Sequence, residues 1–224
     1  MVKIALEQSL TIVVPTLNAA TGLGATLAAL DGLPVVVVDA GSRDGTVEIA
    51  RAAGARVVTA PPGRGGQLAA GARAAEGEWL LFLHADTRPG AGWRAAVAAA
   101  MREPERAHYF RFALDDPGPE ARRLERLVAW RCRVLALPYG DQGLLIARSL
   151  YEAVGGFRPL PLMEDVDLVR RLGRRRLAPM SEVALTSAAR WRREGWRRRS
   201  ARNLLCLSLW FLGLPPGLIR RLYG

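Results

Sequence analysis

The chain has 224 residues, half of them hydrophobic and 24% charged. That is enough apolar material for a substantial core, and it excludes a dominantly disordered protein. Its two cysteines, Cys132 and Cys206, lie far apart with no Cys-x-x-Cys or Cys/His spacing, which argues against a disulfide framework or a structural zinc site.

The net charge of +11 is unevenly distributed. Residues 1–118 carry 11 basic and 12 acidic side chains, whereas residues 119–224 carry 21 basic and 9 acidic ones. All the basic residues except Lys3 are arginine.

Met1 to Leu10 contains Lys3, Glu7 and Gln8, so no secretory leader is expected and the protein is expected to stay on the cytoplasmic side. Strands are predicted over Leu10–Val14, Pro34–Val38, Ala55–Thr59 and Trp79–His84. Helices are predicted between and after them, over Gly22–Leu30, Thr46–Ala53, Gln67–Ala75 and Trp93–Met101. This alternation predicts an α/β protein with a mostly parallel central sheet flanked by helices.

Two of the strands end in acidic residues. Val35 to Val38 runs into Asp39, and Leu80 to Leu83 runs into His84, Ala85 and Asp86. Continuous apolar runs suit strands buried on both faces, and ligands in open α/β sheets bind beyond the carboxyl ends of such strands. Asp39, His84 and Asp86 are therefore expected near one crevice, provided their strands are neighbours.

Tyr109–Leu114 reads as a further strand, and the turn-rich Asp115–Pro119 marks a change of sub-region. A helix over Glu120–Leu137 follows, then a loop Pro138–Gln142 and a strand Gly143–Ala147. Residues 1–188 are expected to form the main domain, with 1–114 serving a nucleotide and 119–188 an acceptor. Residues 189–224 form a basic and apolar carboxyl-terminal helical extension.

That extension opens with seven arginines, two tryptophans and one glutamate between Arg190 and Arg202. Arginine forks suit phosphate, a membrane interface suits the tryptophans, and a solvated basic face is the ordinary alternative. Nucleic acid is not an expected partner, because no recognition fold accompanies the charge. The apolar run Leu204–Leu214 is too short to cross a bilayer, since eleven helical residues rise only about 16 Å. It is expected to lie in an anionic membrane interface, with the flanking residues 190–214, or to pack on the domain or on a second subunit.

Four motifs in order carry a resemblance. Pro15-Thr16-Leu17-Asn18, Asp39 to Thr46, His84-Ala85-Asp86 and Glu164-Asp165-Val166-Asp167 resemble those of family 2 glycosyltransferases with the GT-A (nucleotide-diphospho-sugar transferase) fold, over about residues 10–170. The resemblance implies a metal-dependent, inverting transfer from a nucleoside diphosphate sugar, a UDP-sugar first, to an acceptor hydroxyl, on a lipid-linked or other molecule. It implies that Asp39 reads uracil and that Pro15, Thr16 and Asn18 shape the nucleoside pocket.

It further implies that Ala85 and Asp86 meet the diphosphate and that Asp86 binds Mn2+ or Mg2+ with hard oxygen ligands. The family's usual Asp-x-Asp has His84 in its first position here, which favours manganese or leaves Asp86 as the motif's single ligand. Asp165 is the expected general base, with Glu164, Met163 and Leu162 on the acceptor side. Arg64, in the loop Pro61–Gln67, is expected near the nucleotide. Asp141, Gln142 and Gly156 are expected to shape the sugar and acceptor pocket.

Simpler roles compete with these. Asp39 and Asp44 can serve as turn and cap residues, and acidic residues are favoured in a helix's first turn, as at Glu164 and Asp165. Two other classes stay open: a nucleotidyltransferase, disfavoured by the absence of a basic residue in the loop after the first strand, and a membrane-associated binding protein without catalysis.

Overall fold

The computed structural model describes residues 9–223. The expectation about a leader in the first ten residues falls almost wholly outside them. Strands β1 (Leu10–Thr16), β2 (Val35–Asp39), β3 (Arg56–Thr59) and β4 (Trp79–Phe82) alternate with helices α1 (Ala20–Ala29), α2 (Thr46–Ala52) and α3 (Arg64–Ala74), as the periodicity predicts. The second half adds β5 (Thr87–Pro89), α4 (Trp93–Ala100), β6 (Ala107–Leu114), α5 (Pro119–Leu135), β7 (Leu144–Ala147), α6 (Arg148–Ala153), α7 (Glu164–Leu172) and β8 (Leu177–Thr186). Helices α8 (Ala189–Glu194), α9 (Trp196–Phe211) and α10 (Pro216–Tyr223) follow.

The eight strands form one sheet in the order β3-β2-β1-β4-β7-β6-β8-β5. The first four are parallel: Thr16 pairs with Asp39, Asp39 with Thr59, and Val13 with Phe82. Asp39 and His84 thus leave strands on either side of β1, so the crevice expected between them exists. Strand β7 runs antiparallel to both β4 and β6, and β8 is parallel to β6 and antiparallel to β5.

Burial explains the parallel half. Leu80 and Leu81 in β4 and Val13 and Val14 in β1 are fully buried, as strands covered by helices on both faces must be. Each such side chain stabilises the fold by about 1.5–3 kcal/mol relative to exposure. Strand β4 stops at Phe82, two residues short of the expected end. Leu83 N–H still bonds Val13 O at 3.0 Å, and the chain then turns, with Thr87 N–H on His84 O at 3.2 Å.

Three elements escaped the sequence reading: β5, α6 and β8. Strand β8 contains Pro179, which removes a ladder donor; it lies where β5 does not pair, since β5 meets only Ala184–Thr186. Helix α5 begins with Pro119 at its first turn and ends at Ala136, whose φ of 52° breaks the helix before the expected Leu137.

Helix α3 begins against the loop before α7. A Cβ on Gly65 would stand 2.2 Å from Arg158 O, so only glycine permits this approach. Cys132 and Cys206 are free and buried, as their spacing implied.

Helix α9 joins the second half of the arginine cluster to the apolar run. It buries Cys206 and Leu207 but leaves Leu204 64% and Leu212 of the following turn 76% exposed. Among the described residues no helix is long and apolar enough to cross a membrane.

Candidate active site

At the carboxyl ends of β1 and β2, the Asp39 carboxylate is held from four directions. Oδ1 accepts from Thr16 Oγ1 at 2.9 Å and Ser42 Oγ at 2.5 Å; Oδ2 accepts from the N–H groups of Gly41 and Ser42 at 2.9 and 2.8 Å. Burial pushes its pKa upward, but the bonds from Ser42, Thr16 and Gly41 together hold it below the usual carboxylate value. Asp39 therefore organises its own loop, as the capping alternative anticipated, and any contact with a base requires exchanging one of these bonds.

Asn18, at φ 51°, locks the two loops together. Its Oδ1 accepts from Arg43 N–H at 2.9 Å and its own N–H donates to Ser42 Oγ at 2.8 Å. Half-buried Pro15 precedes them at the end of β1. Asp44 serves the turn, accepting from Thr46 Oγ1 at 2.5 Å and Ala20 N–H at 3.1 Å. Beneath both loops Gln67 Nε2 donates to Thr16 O and Val38 O, each at 2.8 Å.

Across β1, the segment after β4 is pinned by backbone. Ala85 O accepts from Thr26 Oγ1 at 2.9 Å, and Asp86 O accepts from Ser187 N–H at 3.3 Å. Thr87 and Thr186 hydroxyls meet at 3.0 Å, and Thr186 Oγ1 donates to Asp141 O at 3.1 Å. These bonds bring Asp86, Asp141 and the end of β8 together.

The result is a cavity of about 120 Å³, lined by Arg64, His84, Asp86, Tyr139, Asp141 and Glu164 to Val166 on one side and by Arg190, Trp191, Arg199, Asn203 and Tyr223 on the other. Asp165 opens α7, with Oδ2 accepting from Gly140 N–H and Oδ1 from Val166 N–H, both at 2.8 Å. Beside it Glu164 is 1% exposed, and Arg64 Nε stands 3.5 Å from its Oε1. Burial and then the charge of Asp165 push Glu164 up to about 7, against the pull of Arg64. Burial likewise raises Asp141 to about 6, with Arg131 opposing and Asp165 adding to the rise.

Two polar atoms in this cavity are buried without a partner: His84 Nε2 and Asp141 Oδ1. Burial, and then the charges of Arg64 and Arg190, hold the His84 imidazole well below its ordinary pKa, so it is neutral. Among the described residues nothing donates a hydrogen bond to Asp86, and no three His, Cys, Asp or Glu side chains gather into a cage for an ion. A half-buried carboxylate, an orphaned carboxylate oxygen and a neutral imidazole fit a divalent cation that takes its remaining ligands from phosphate.

The sequence-predicted residues divide accordingly. Arg64, His84, Asp86, Asp141, Glu164 and Asp165 share the cavity; Pro15, Thr16, Asn18 and Asp39 form the adjoining loops; Ala85 links the two sets.

Two residues do not join them. Gln142 faces inward, donating to Phe110 O at 3.0 Å and accepting from Arg131 at 3.2 Å, and Gly156 offers its carbonyl to Arg171 at 2.6 Å behind α7. Neither lines the cavity. Arg64 reaches the acidic side through Glu164 rather than the nucleoside loops.

Sequence reasoning missed the roof. The arginine and tryptophan cluster was visible, but its periodicity could not show that Trp191 and Arg199 turn inward, 7% and 6% exposed, while Arg192, Arg197 and Arg198 face solvent. Asn203 and Tyr223 carried no signal.

Comparison with known proteins is consistent with this geometry. No curated protein matches the sequence. Among solved structures, S. aureus TarS 1-349 superposes with a TM-score of 0.65 at 16% identity, covering 96% of this chain and 69% of that one. For the same TarS fragment in complex with UDP-GlcNAc the score is 0.62 at 16% identity, with 96% and 70% covered.

Glucosyl-3-phosphoglycerate synthase from Mycobacterium tuberculosis, in complex with Mn2+, UDP and glucosyl-3-phosphoglycerate, gives 0.59 at 23% identity, covering 83% of this chain and 73% of that one. These likenesses establish the GT-A fold. Residues 11–160, which run from β1 through the nucleoside loops and the His84 to Asp86 segment to the loop before α7, match the model of Glycosyl transferase family 2. The chain belongs to that family.

Proposed function

We propose that the protein transfers a sugar from a nucleoside diphosphate sugar, uridine-linked, to an acceptor hydroxyl with inversion at the anomeric carbon. The observation that carries this reading is the meeting of Asp86, Asp141 and Asp165 in one cavity beside the loops of Asp39. The TarS fragment in complex with UDP-GlcNAc and the synthase in complex with Mn2+ and UDP support the choice of donor and ion.

Thr16, Asn18 and Asp39, with Pro15, shape the nucleoside side; Asp39 takes the uracil N–H by releasing the Ser42 hydroxyl. Asp86, with His84 and Asp141, would hold a divalent cation, Mn2+ before Mg2+, because an imidazole suits manganese better. When bound, that ion neutralises the charge that builds on the departing diphosphate. Arg64 balances Glu164 and keeps one cation at the edge of the acidic cluster.

Asp165 is the base. Its carboxylate, fixed by Gly140 and Val166, accepts the proton of the acceptor hydroxyl as that oxygen bonds to the anomeric carbon. The bond from the anomeric carbon to the diphosphate breaks on the opposite face, its electron pair leaving with the diphosphate. Exposed Leu204, Leu205, Phe211 and Leu212, with Arg197 and Arg198 nearby, support placing α9 at an anionic membrane surface.

Calorimetry with a panel of nucleotide sugars and Mn2+ tests the proposal, together with slow donor hydrolysis. Binding of a uridine donor is expected, and Asp165→Asn is expected to keep that binding while losing turnover by roughly a hundredfold or more. Folded protein that binds no nucleotide sugar would overturn it.

A further inference from the structure

Three polar groups on the carboxyl-terminal helices are buried without a partner: Trp191 Nε1, Arg199 Nε and Asn203 Oδ1. All three residues line the cavity that contains Asp165. Indole and guanidinium nitrogens can only donate, whereas an amide can turn either end toward a ligand. Such a wall demands an acceptor-rich ligand.

The guanidinium of Arg199 is held in place from its other side. Nη1 donates to both Glu194 oxygens at 3.0 Å, Nη2 donates to the Tyr223 hydroxyl at 3.3 Å, and Cζ lies 4.9 Å from the Trp191 ring centroid. Only its Nε edge is left for the cavity.

The wall is also cationic. Glu194 is shared among Arg193, Arg199 and Arg202, and Arg190 at the cavity has no carboxylate partner among the described residues. One carboxylate thus faces three guanidinium groups, and a charge-assisted bond to an anion completes the arrangement.

Position assigns this wall to the acceptor. Thr16, Asn18 and Asp39 do not line the cavity, and their strands β1 and β2 lie on one side of β4, whereas β8, which leads into α8, lies on the other. We infer that the acceptor carries a phosphate group, clasped by Arg199, Trp191 and Asn203 while its hydroxyl faces Asp165. The inference rests on the transferase reading above and names the class of molecule that receives the sugar. A soluble phosphorylated metabolite and a lipid phosphate headgroup share this chemistry.

The test follows the Trp191 indole N–H by NMR in 15N-labelled protein saturated with UDP and Mg2+, the resonance being identified by its loss in Trp191→Phe. Glycerol 3-phosphate is expected to shift it saturably, and glycerol is not. Phosphatidic acid in phosphatidylcholine vesicles at equal phosphate is the second probe: a stronger shift there than with glycerol 3-phosphate assigns the phosphate to a lipid, and the reverse assigns it to a soluble acceptor.

Asn203→Asp, isosteric but anionic, is expected to weaken phosphate binding at least tenfold with UDP affinity unchanged, and Asn203→Ala about threefold. The inference is overturned if neither probe moves the resonance with UDP bound, if UDP displaces the phosphate, or if both Asn203 variants bind like the parent. Failure of UDP itself to bind is a separate readout and counts against the transferase reading.

Discussion

The backbone N–H of Gly140 donates to Asp165 Oδ2 at 2.8 Å, and His84 Nε2 lies over the same glycine. The short helical turn Gly140–Gln142 therefore sets the distance between the candidate base and the histidine that replaces the family's first metal-binding aspartate. A Cβ at Gly140 would stand 2.8 Å from His84 Nε2 and 3.5 Å from Asp165 Oδ2.

Gly140→Ala should thus injure the site without unfolding the protein. The residue is not among those with left-handed φ, so its backbone accepts alanine and the strain falls on the two side chains. Transfer is expected to drop roughly ten- to hundredfold, because small misplacements of reacting groups are costly. Steady-state kinetics beside a thermal melt checks this; a large fall in Tm with unchanged turnover would contradict it.

Asp39→Asn is expected to be a folding and a binding variant together. An amide presents one donor end where two N–H or O–H groups already donate, so two contacts become repulsive. The cost is expected to be about 2 kcal/mol, or about 4–8 °C in Tm, along with loss of uridine nucleotide affinity. Differential scanning calorimetry and nucleotide titration measure the two effects separately.

The acidic pocket should make the ligand-free protein less stable as pH rises. Glu164 is raised to about 7, above its unfolded value, so its contribution is complete below about pH 4.5 and is lost as pH passes through about 7. Asp141, at about 6, acts in the same direction, while the lowered Asp39 acts oppositely at low pH. Glu164→Gln should flatten the curve and recover up to about 3 kcal/mol at pH 8. Urea unfolding at pH 5 and pH 8 decides; equal slopes in parent and variant would refute the assignment.

Removing the cation ligand should separate affinity from fold. Asp86→Asn is expected to abolish the tightening of UDP binding by Mn2+ while leaving metal-free binding and Tm within experimental error. His84→Ala should have a smaller effect of the same kind. Calorimetric titrations with and without a chelator provide the comparison.

Gly65→Ala tests the docking of α3 on the loop before α7. With Arg158 O 2.2 Å from the new Cβ, backbone must move, and a loss of roughly 1–3 kcal/mol is expected with weaker protection of residues 158–160 in hydrogen exchange. An unchanged exchange pattern would show that the contact is not tight.

The parallel half of the sheet and its acidic strand ends were legible because buried strands announce themselves as uninterrupted apolar runs, as in Val35 to Val38. Strand β8 was not, since Pro179, Ser181 and Glu182 break the pattern on an edge that tolerates them. Gln142 and Gly156 were assigned by neighbourhood along the chain, yet side-chain direction sends one to Phe110 O and buries the other behind Arg171. The roof was hidden for a related reason. Which arginines of a dense run turn inward depends on where Glu194 and Tyr223 stand, and one of those is 24 residues from Arg199.

Helix α3 touches both halves of the site. Gln67 spans the carbonyls that end β1 and β2, and Arg64, one turn earlier, meets Glu164. A single rigid lever therefore joins the loops that grip the donor to the carboxylates that act on it. Any substitution that slides this helix along its axis should alter recognition and turnover in the same proportion, so the two properties cannot drift apart independently in this fold.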